Sequence, residues 1–298
     1  MLDNIIGQKP IKDALTIVLE SVKRNGDVCP GILFEGFSGG GKSTFARAIA
    51  AELNYDFQEI NCGCLRSNLD SRLKFMLALE QLKTGDVFFL DETHSLPKQL
   101  QEILYTAVED GYISVDTSGF AGKLAINRFT MIGATTHLGA LTIPMQSRFK
   151  YVFRIDEYEV DEIAAMLDRE EGPQIDTVAL AKFCRGNPRQ AKNYLDWITR
   201  YCSATGKPPN EATICEAMEQ RGVYAYGLTE HDVKYLRALA SRRFEGVRAL
   251  SHMINVEEST VKKTIEPYLL KLGLISIMSS MGGKRAINME KVREIKVI

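Results

Sequence analysis

The sequence contains no apolar run near the roughly 20 residues that a membrane-spanning helix needs, which excludes a helical membrane protein. Its N-terminus, Met1-Leu-Asp-Asn, puts no basic residues ahead of an apolar core, so no secretion signal is visible and a cytoplasmic location is expected. Cysteine is sparse and scattered: of Cys29, Cys62, Cys64, Cys184, Cys202 and Cys215, only Cys62 and Cys64 are close together. No second pair or neighbouring histidine completes a zinc set, and reduced thiols are the economical reading. Internal repeats and low-complexity tracts are absent. Net charge is almost absent too, at −1, but it is unevenly spread. Thr229 to Ile298 carries 13 Lys/Arg against 8 Asp/Glu, so the preceding 228 residues hold a net −6. An acidic body with a basic tail points to a polyanion partner for the tail.

What is there fits an ordinary globular chain. At 298 residues, 45% hydrophobic and 25% charged, it has room for two domains of usual size or three small ones. The organising stretch is Gly31 to Thr44. Ile32 to Phe34 reads as a buried strand, Gly36 opens a G-x-x-x-x-G-K-S pattern that closes on Gly41, Lys42 and Ser43, and Phe45 to Leu53 continues as an amphipathic helix. Strand, glycine loop and helix together make a phosphate-binding loop, in which backbone N–H groups and a helix N-terminus surround a phosphate chain. Gly36, Gly39, Gly40, Gly41, Lys42, Ser43 and Thr44 are the candidate binding residues. Lys42 would reach the β- and γ-phosphates of a nucleoside triphosphate, and the Ser43 hydroxyl would ligate Mg²⁺; with the resemblance described below, that nucleotide is ATP.

Four apolar residues, Val87 to Leu90, end in Asp91 and Glu92, as in a buried parallel strand whose functional groups gather at its C-terminal edge. Asp91 would support Mg²⁺ through water, and Glu92 would polarise the attacking water. Phe129 to Thr136 is a further buried strand, and Thr135 or Thr136 would orient water or sense the γ-phosphate. Helices are expected over Pro10–Asn25, Arg66–Leu82 and Pro97–Asp110, a hairpin over Gly111–Arg128 with its turn at Thr117 to Gly119, and a strand over Tyr151–Ile155. Arg148 precedes that strand, and spacing alone leaves it an ordinary surface residue. Asp161 to about Ser203 is helical, with Gly186-Asn-Pro-Arg189 opening one helix, and Glu211 to Gln220 is another. After a linker at Tyr226 to Leu228, three helices and a two-stranded wing with a glycine-rich tip at Ser279 to Gly283 make a winged-helix pattern. Lys262, Lys263, Lys284 and Arg285 are its candidate DNA phosphate contacts.

This order of parts resembles the AAA+ ATPases, and specifically the RuvB family of branch-migration motors. The resemblance runs along nearly the whole chain, through Ile6-Gly-Gln8, the phosphate loop, Leu90 to His94, Glu102 to Tyr105 with Glu109-Asp110, Ile132 to Thr136, Arg148-Phe149, Gly186 to Arg189 and Glu266-Pro-Tyr-Leu269. It implies an α/β P-loop AAA+ domain at 1–155, a small all-α lid at 156–226 and a C-terminal winged helix at 227–298. It makes Thr135 and Thr136 the first sensor segment, Arg189 the second sensor, and Arg148 an arginine finger reaching a neighbouring subunit's nucleotide. Ile5, Ile6 and Tyr158 would flank the adenine. A homo-oligomeric ring, hexameric as in the family, would act on double-stranded and branched DNA, with the hairpin docking on a RuvA-like partner. Departures are Lys-Ser in the phosphate loop where the family has Lys-Thr, His137 in an arginine's place, a shorter hairpin, fewer residues before Gln174, and a wing of Ser-Ser-Met-Gly-Gly-Lys-Arg. The competing readings are a clamp or helicase loader and an ATP-gated DNA-binding regulator.

Overall fold

The structure, a computed structural model, describes residues 2–117, 120–170, 175–242, 244–279 and 282–295. Parts of three expected features lie outside the described residues: the hairpin turn at Ser118–Gly119, the shortening before Gln174, and the wing residues Ser280–Met281. The chain divides into two compact units, residues 1–158 and 159–298.

The first unit opens with a turn at Leu2–Asn4, followed by α1 (Lys9–Asn25). Ile11, Leu15, Leu19 and Val22 recur at helical spacing and are all buried, and Gly26 ends α1 by donating its N–H to the Val22 carbonyl. Then come β1 (Ile32–Gly36), α2 (Lys42–Leu53), β2 (Phe57–Asn61), α3 (Leu69–Glu80), β3 (Val87–Asp91) and α4 (Lys98–Glu109). The hairpin β4 (Tyr112–Thr117) and β5 (Phe120–Ala125) precedes β6 (Thr130–Thr135), the short α5 (Ile143–Gln146) and β7 (Tyr151–Ile155). α3 starts later than its apolar spacing predicts. The Asn68 side chain accepts from the Ser71 N–H and fixes the helix start there.

Five strands form one parallel sheet in the order β2-β3-β6-β1-β7. β3 and β6 are apolar without alternation because both of their faces are covered. Phe34 stacks on Phe45 of α2 at 5.5 Å, and Phe88 meets Phe75 and Phe129 edge-on, each at 5.7 Å. Truncating one such ring to alanine typically costs about 3–5 kcal/mol. Gly133 is required by this packing: a Cβ there would lie 2.7 Å from the Phe149 ring and 2.9 Å from Leu33. The strand order reverses beside β1, so the crevice beyond the carboxyl end of β1 is the place where such sheets bind ligands.

The second unit begins with α6 (Val160–Leu167), α7 (Thr177–Ala181), α8 (Pro188–Thr205) and α9 (Glu211–Gln220). α10 (Glu230–Arg242), a short strand β8 (Phe244–Glu245) and α11 (Val247–Ile254) follow. The next helix, α12, runs through Glu258–Thr260, a wider π turn at Val261–Ile265, and Glu266–Lys271. Pro267 has no N–H to give, and the widened turn lies just ahead of it. β9 (Ile275–Met278) and β10 (Lys284–Ile287) form the expected wing, and α13 (Met289–Glu294) closes the unit. β8 adds a third strand in the order β8-β10-β9, one more than the sequence pattern predicts, because a two-residue strand carries no periodic signal.

Candidate functional site

The phosphate loop spans the end of β1 and the start of α2. Gly41 precedes the helix at φ +96°, a left-handed backbone that a side chain would strain. Lys42 is only 7% exposed, and its Nζ donates to the Gly36 and Phe37 carbonyls at 2.8 and 2.9 Å, which holds the ammonium inside the loop. Tyr158, expected beside the adenine, is buried, and its hydroxyl donates to the Gly40 carbonyl at 3.0 Å, so it braces the phosphate loop. Ile5 and Ile6 are half-buried between the Leu2–Asn4 turn and α1, and Lys12 Nζ donates to the Ile5 carbonyl at 2.7 Å. Gln8 donates to the Asp156 carbonyl at 2.7 Å, tying the start of α1 to the segment after β7.

The register of the sheet brings the second cluster together. β3 pairs with β6 through Leu90 and Gly133, and β6 pairs with β1 through Thr135 and Glu35. Asp91 and Thr135 therefore end at the same sheet edge as the phosphate loop. Asp91 accepts the Glu92 N–H at 3.0 Å, and Glu92 turns into a left-handed backbone at φ +50°. A residue that the sequence did not single out explains this turn. Thr93 is fully buried, its hydroxyl donates to the Leu90 carbonyl at 2.8 Å, and it accepts the Ala134 N–H at 3.1 Å. That stitch pulls the chain sharply inward straight after Glu92.

Two histidines complete the cluster. His94 Nδ1 is hydrogen-bonded to the Thr135 hydroxyl at 3.0 Å and stands 3.4 Å from Glu92 Oε2. The His137 N–H donates to the same Thr135 oxygen at 3.1 Å, and its ring packs edge-on against His94 with centroids 5.6 Å apart. Thr136 is hydrogen-bonded to His137 Nδ1 at 2.8 Å, so Thr135, and not Thr136, is the threonine linked to Glu92. His94 lies only two residues beyond Glu92, yet its role depends on a cross-strand partner 41 positions away. Cys62, at the end of β2, is buried and stays a neutral thiol: burial first, then the negative charge of Asp91, pushes its pKa up to about 12. Among the described residues no set of three His, Cys, Asp or Glu side chains is placed to hold a metal. Ser43 in the first turn of α2 and Asp91 at the end of β3 carry oxygen donors of the kind Mg²⁺ takes, a few protein ligands beside several waters.

Arg148 sits elsewhere. It precedes β7, and β7 starts level with the start of β1, since Ile32 pairs with Tyr151. Arg148 is thus at the amino end of the sheet, while the phosphate loop is at the carboxyl end. Its guanidinium lies 4.3 Å from the Tyr105 ring centroid, Nη2 is 2.8 Å from Glu109, and Nη1 donates to the Pro144 carbonyl at 3.0 Å.

In the second unit, Arg189 is exposed on the first turn of α8, where the Asn187 side chain accepts its N–H at 3.0 Å. Just before it, Arg185 holds a left-handed backbone at φ +50°. Its Nε donates to the Gly227 carbonyl at 2.8 Å, its Nη2 pairs with the buried Asp232, and its guanidinium lies 4.0 Å from the Tyr268 ring centroid. Asp232 also accepts from the Thr229 N–H at 2.7 Å.

The four candidate DNA contacts separate. Lys263 and Lys284 are exposed, and Lys262 is exposed but paired with Glu258 at 2.6 Å along one helix face. Arg285 is corrected: it is 9% exposed and faces the core. Its Nε and Nη2 donate to the two oxygens of buried Glu266 at 2.7 and 2.9 Å, and Tyr235 donates to Glu266 at 2.8 Å. The period of two along β10 turns Lys284 outward and Arg285 inward, so adjacent cations have opposite fates. Burial first, then the Glu266 charge, raises the Tyr235 pKa above its usual range.

With that geometry in place, comparisons with known proteins are specific. Residues 1–155 match the family described as the Holliday junction DNA helicase RuvB P-loop domain, and residues 225–284 match the RuvB C-terminal winged helix domain. The Holliday junction branch migration complex subunit RuvB of Oenococcus oeni is 32% identical over 288 residues, covering 92% of this chain and 84% of that protein. Its counterpart in Thermotoga petrophila is 33% identical over 292 residues, covering 92% and 85%. The solved structure described as the Thermotoga maritima RuvB Holliday junction branch migration motor superposes with a TM-score of 0.76 at 31% identity, covering 99% of this chain and 96% of that one.

Proposed function

This chain belongs to the RuvB family, and on that premise we propose that it is an ATPase whose hydrolysis drives branch migration of Holliday junctions. The branch-migration names of its relatives favour this motor over a loader or an ATP-gated regulator. The phosphate loop and Lys42 bind the triphosphate, whose charged oxygens are stronger acceptors than the two carbonyls that now hold the ammonium. Gly36, Gly39, Gly40, Gly41, Ser43 and Thr44 contribute backbone and hydroxyl groups, Tyr158 holds the loop in shape, and Ile5 and Ile6 border the base. Ser43 and Asp91 would hold Mg²⁺, which neutralises charge developing on the phosphates. Glu92 takes the proton of the attacking water, and Thr135, tied to it through His94, keeps it aimed.

Arg148 works in trans, and its place in the sheet is the observation that carries this reading. The five-residue strands of β1 and β7 run in register. At about 3.3 Å per residue they hold Arg148 roughly 15 Å from its own phosphate loop. A neighbouring subunit's nucleotide is then the one it would reach, in a ring that is hexameric by the family resemblance. Arg189 answers the nucleotide from the lid, read as residues 156–226, and the winged helix at 227–298 grips junction DNA through Lys263, Lys284 and Lys262. The β4–β5 hairpin is the docking element for a RuvA-like subunit, and the machine works in the cytoplasm.

The test is ATP-dependent dissociation of a synthetic four-way junction, with and without a RuvA protein. Wild type should dissociate it, while Arg148→Ala should bind ATP yet lose about a thousandfold in turnover, the scale of a trans arginine. Steady ATP hydrolysis by wild type with the junction left intact under both conditions would sink the motor reading.

A further inference from the structure

α4 presents Gln101, Tyr105 and Glu109 at steps of four residues, which places them in one stripe along the helix. All three serve the segment that carries Arg148. Gln101 Nε2 donates to the Leu96 carbonyl at 2.8 Å, in the loop that follows Glu92, and its Oε1 accepts from the Tyr105 hydroxyl at 3.0 Å and from Thr142 at 3.3 Å. The Tyr105 ring lies under the Arg148 guanidinium, and Glu109 holds its Nη2. The stripe therefore begins at the loop of the subunit's own water-activating carboxylate and ends at the arginine offered to the next subunit.

From this we propose that Tyr105 and Glu109 are positioning residues for the trans arginine, with α4 as the rod that sets its place. The proposal rests on the trans reading of Arg148. Free in solution, an arginine side chain carries about 2 kcal/mol of rotamer entropy that delivery across an interface must overcome. Here the stack and the ion pair have already removed much of that freedom. Glu109 lies 2.8 Å from Nη2, and the Pro144 carbonyl and Ser147 hydroxyl accept from Nη1. Nε is buried with no hydrogen-bond partner. The contacts thus order the side chain before a neighbouring nucleotide arrives.

Mixed assemblies test this. Arg148→Ala subunits have a working site and no finger, while Glu92→Gln subunits have a finger and no working site. Neither should turn over ATP alone, and mixing them should restore turnover at interfaces where the Glu92→Gln subunit donates its arginine. If the mixture stays silent although both partners bind a fluorescent ATP analogue, the trans reading fails and takes the proposal with it. If it is active, the donor is then changed. Adding Tyr105→Leu to Glu92→Gln should lower the restored kcat tenfold or more with KM for ATP unmoved, and adding Glu109→Gln should lower it several-fold. Tyr105→Phe, which keeps the ring, should donate as well as the parent. Donors with Tyr105→Leu or Glu109→Gln that restore full turnover overturn the proposal, as does a rise with Glu109→Gln, which would make that carboxylate a brake. Equal thermal unfolding of the donors, with Glu109 lying at the surface, separates placement from folding.

Discussion

The sheet edge that carries Asp91 and Glu92 and the wing that carries Lys284 and Arg285 use charge in opposite ways. At the sheet edge, apolar strands carry the packing, and Asp91 and Glu92 follow them half-buried at the crevice. In the winged helix, the apolar core also takes in a charged pair, Glu266 and Arg285, joined by the Tyr235 hydroxyl. A charge after a fully buried strand in a large sheet is therefore read as functional, whereas a charge within a short strand of a small module is equally suited to holding it together.

The sharpest way to press on this contrast is at the sheet edge. Glu92→Gln should keep nucleotide affinity and lose about 10²–10⁴-fold in ATP turnover, the range for removing a general base, with no change in the thermal midpoint. A large drop in stability would mean that Glu92 is structural, like its counterparts in the wing. The mirror-image change is Glu266→Ala, which leaves Arg285 buried without its partner. It should destabilise the second unit by about 3–5 kcal/mol, read by denaturant unfolding, and leave ATP binding by the first unit intact.

Much of this is legible in the chain itself, for a physical reason. The phosphate loop, β3 and β6 announce themselves because glycine spacing and unbroken apolar runs are local signals, and the groups that follow them are fixed by chain direction alone. His94, Thr93 and Tyr105 depend on which strands and helices become neighbours, so no spacing within the chain marks them. Arg285 misleads for a narrower reason: Lys284 and Arg285 look alike in composition, and only strand phase separates them. The late start of α3 is a cap effect that apolar spacing does not contain.

A gentler test returns to the wing. Lys263→Ala and Lys284→Ala should each weaken duplex binding across all sequences and lower the salt slope of log K by about 0.9, the share of a single neutralised phosphate. Should either leave the slope unmoved, that lysine is a solvated surface charge. The smallest effect concerns pH. Because the fold raises the Tyr235 pKa above its ordinary value near 10, the protonated form is the one it stabilises. That stabilisation is complete below about pH 10, the unfolded value, and fades as pH rises through the folded one. Tyr235→Phe should therefore flatten the alkaline limb of the unfolding profile, and an unchanged limb would place the sensitivity elsewhere.

Arg185 has a mechanical meaning. It stands four residues before Arg189, at the root of α8, yet its guanidinium is spent on Gly227, Asp232 and Tyr268, in the part of the chain that carries the winged helix. A joint between two modules normally contains slack, and slack absorbs a stroke before the load feels it. Here the joint is welded by a buried ion pair beside a backbone that has little room to turn. A rotation of α8 would therefore be passed on to the segment from Gly227 onward rather than lost at the joint.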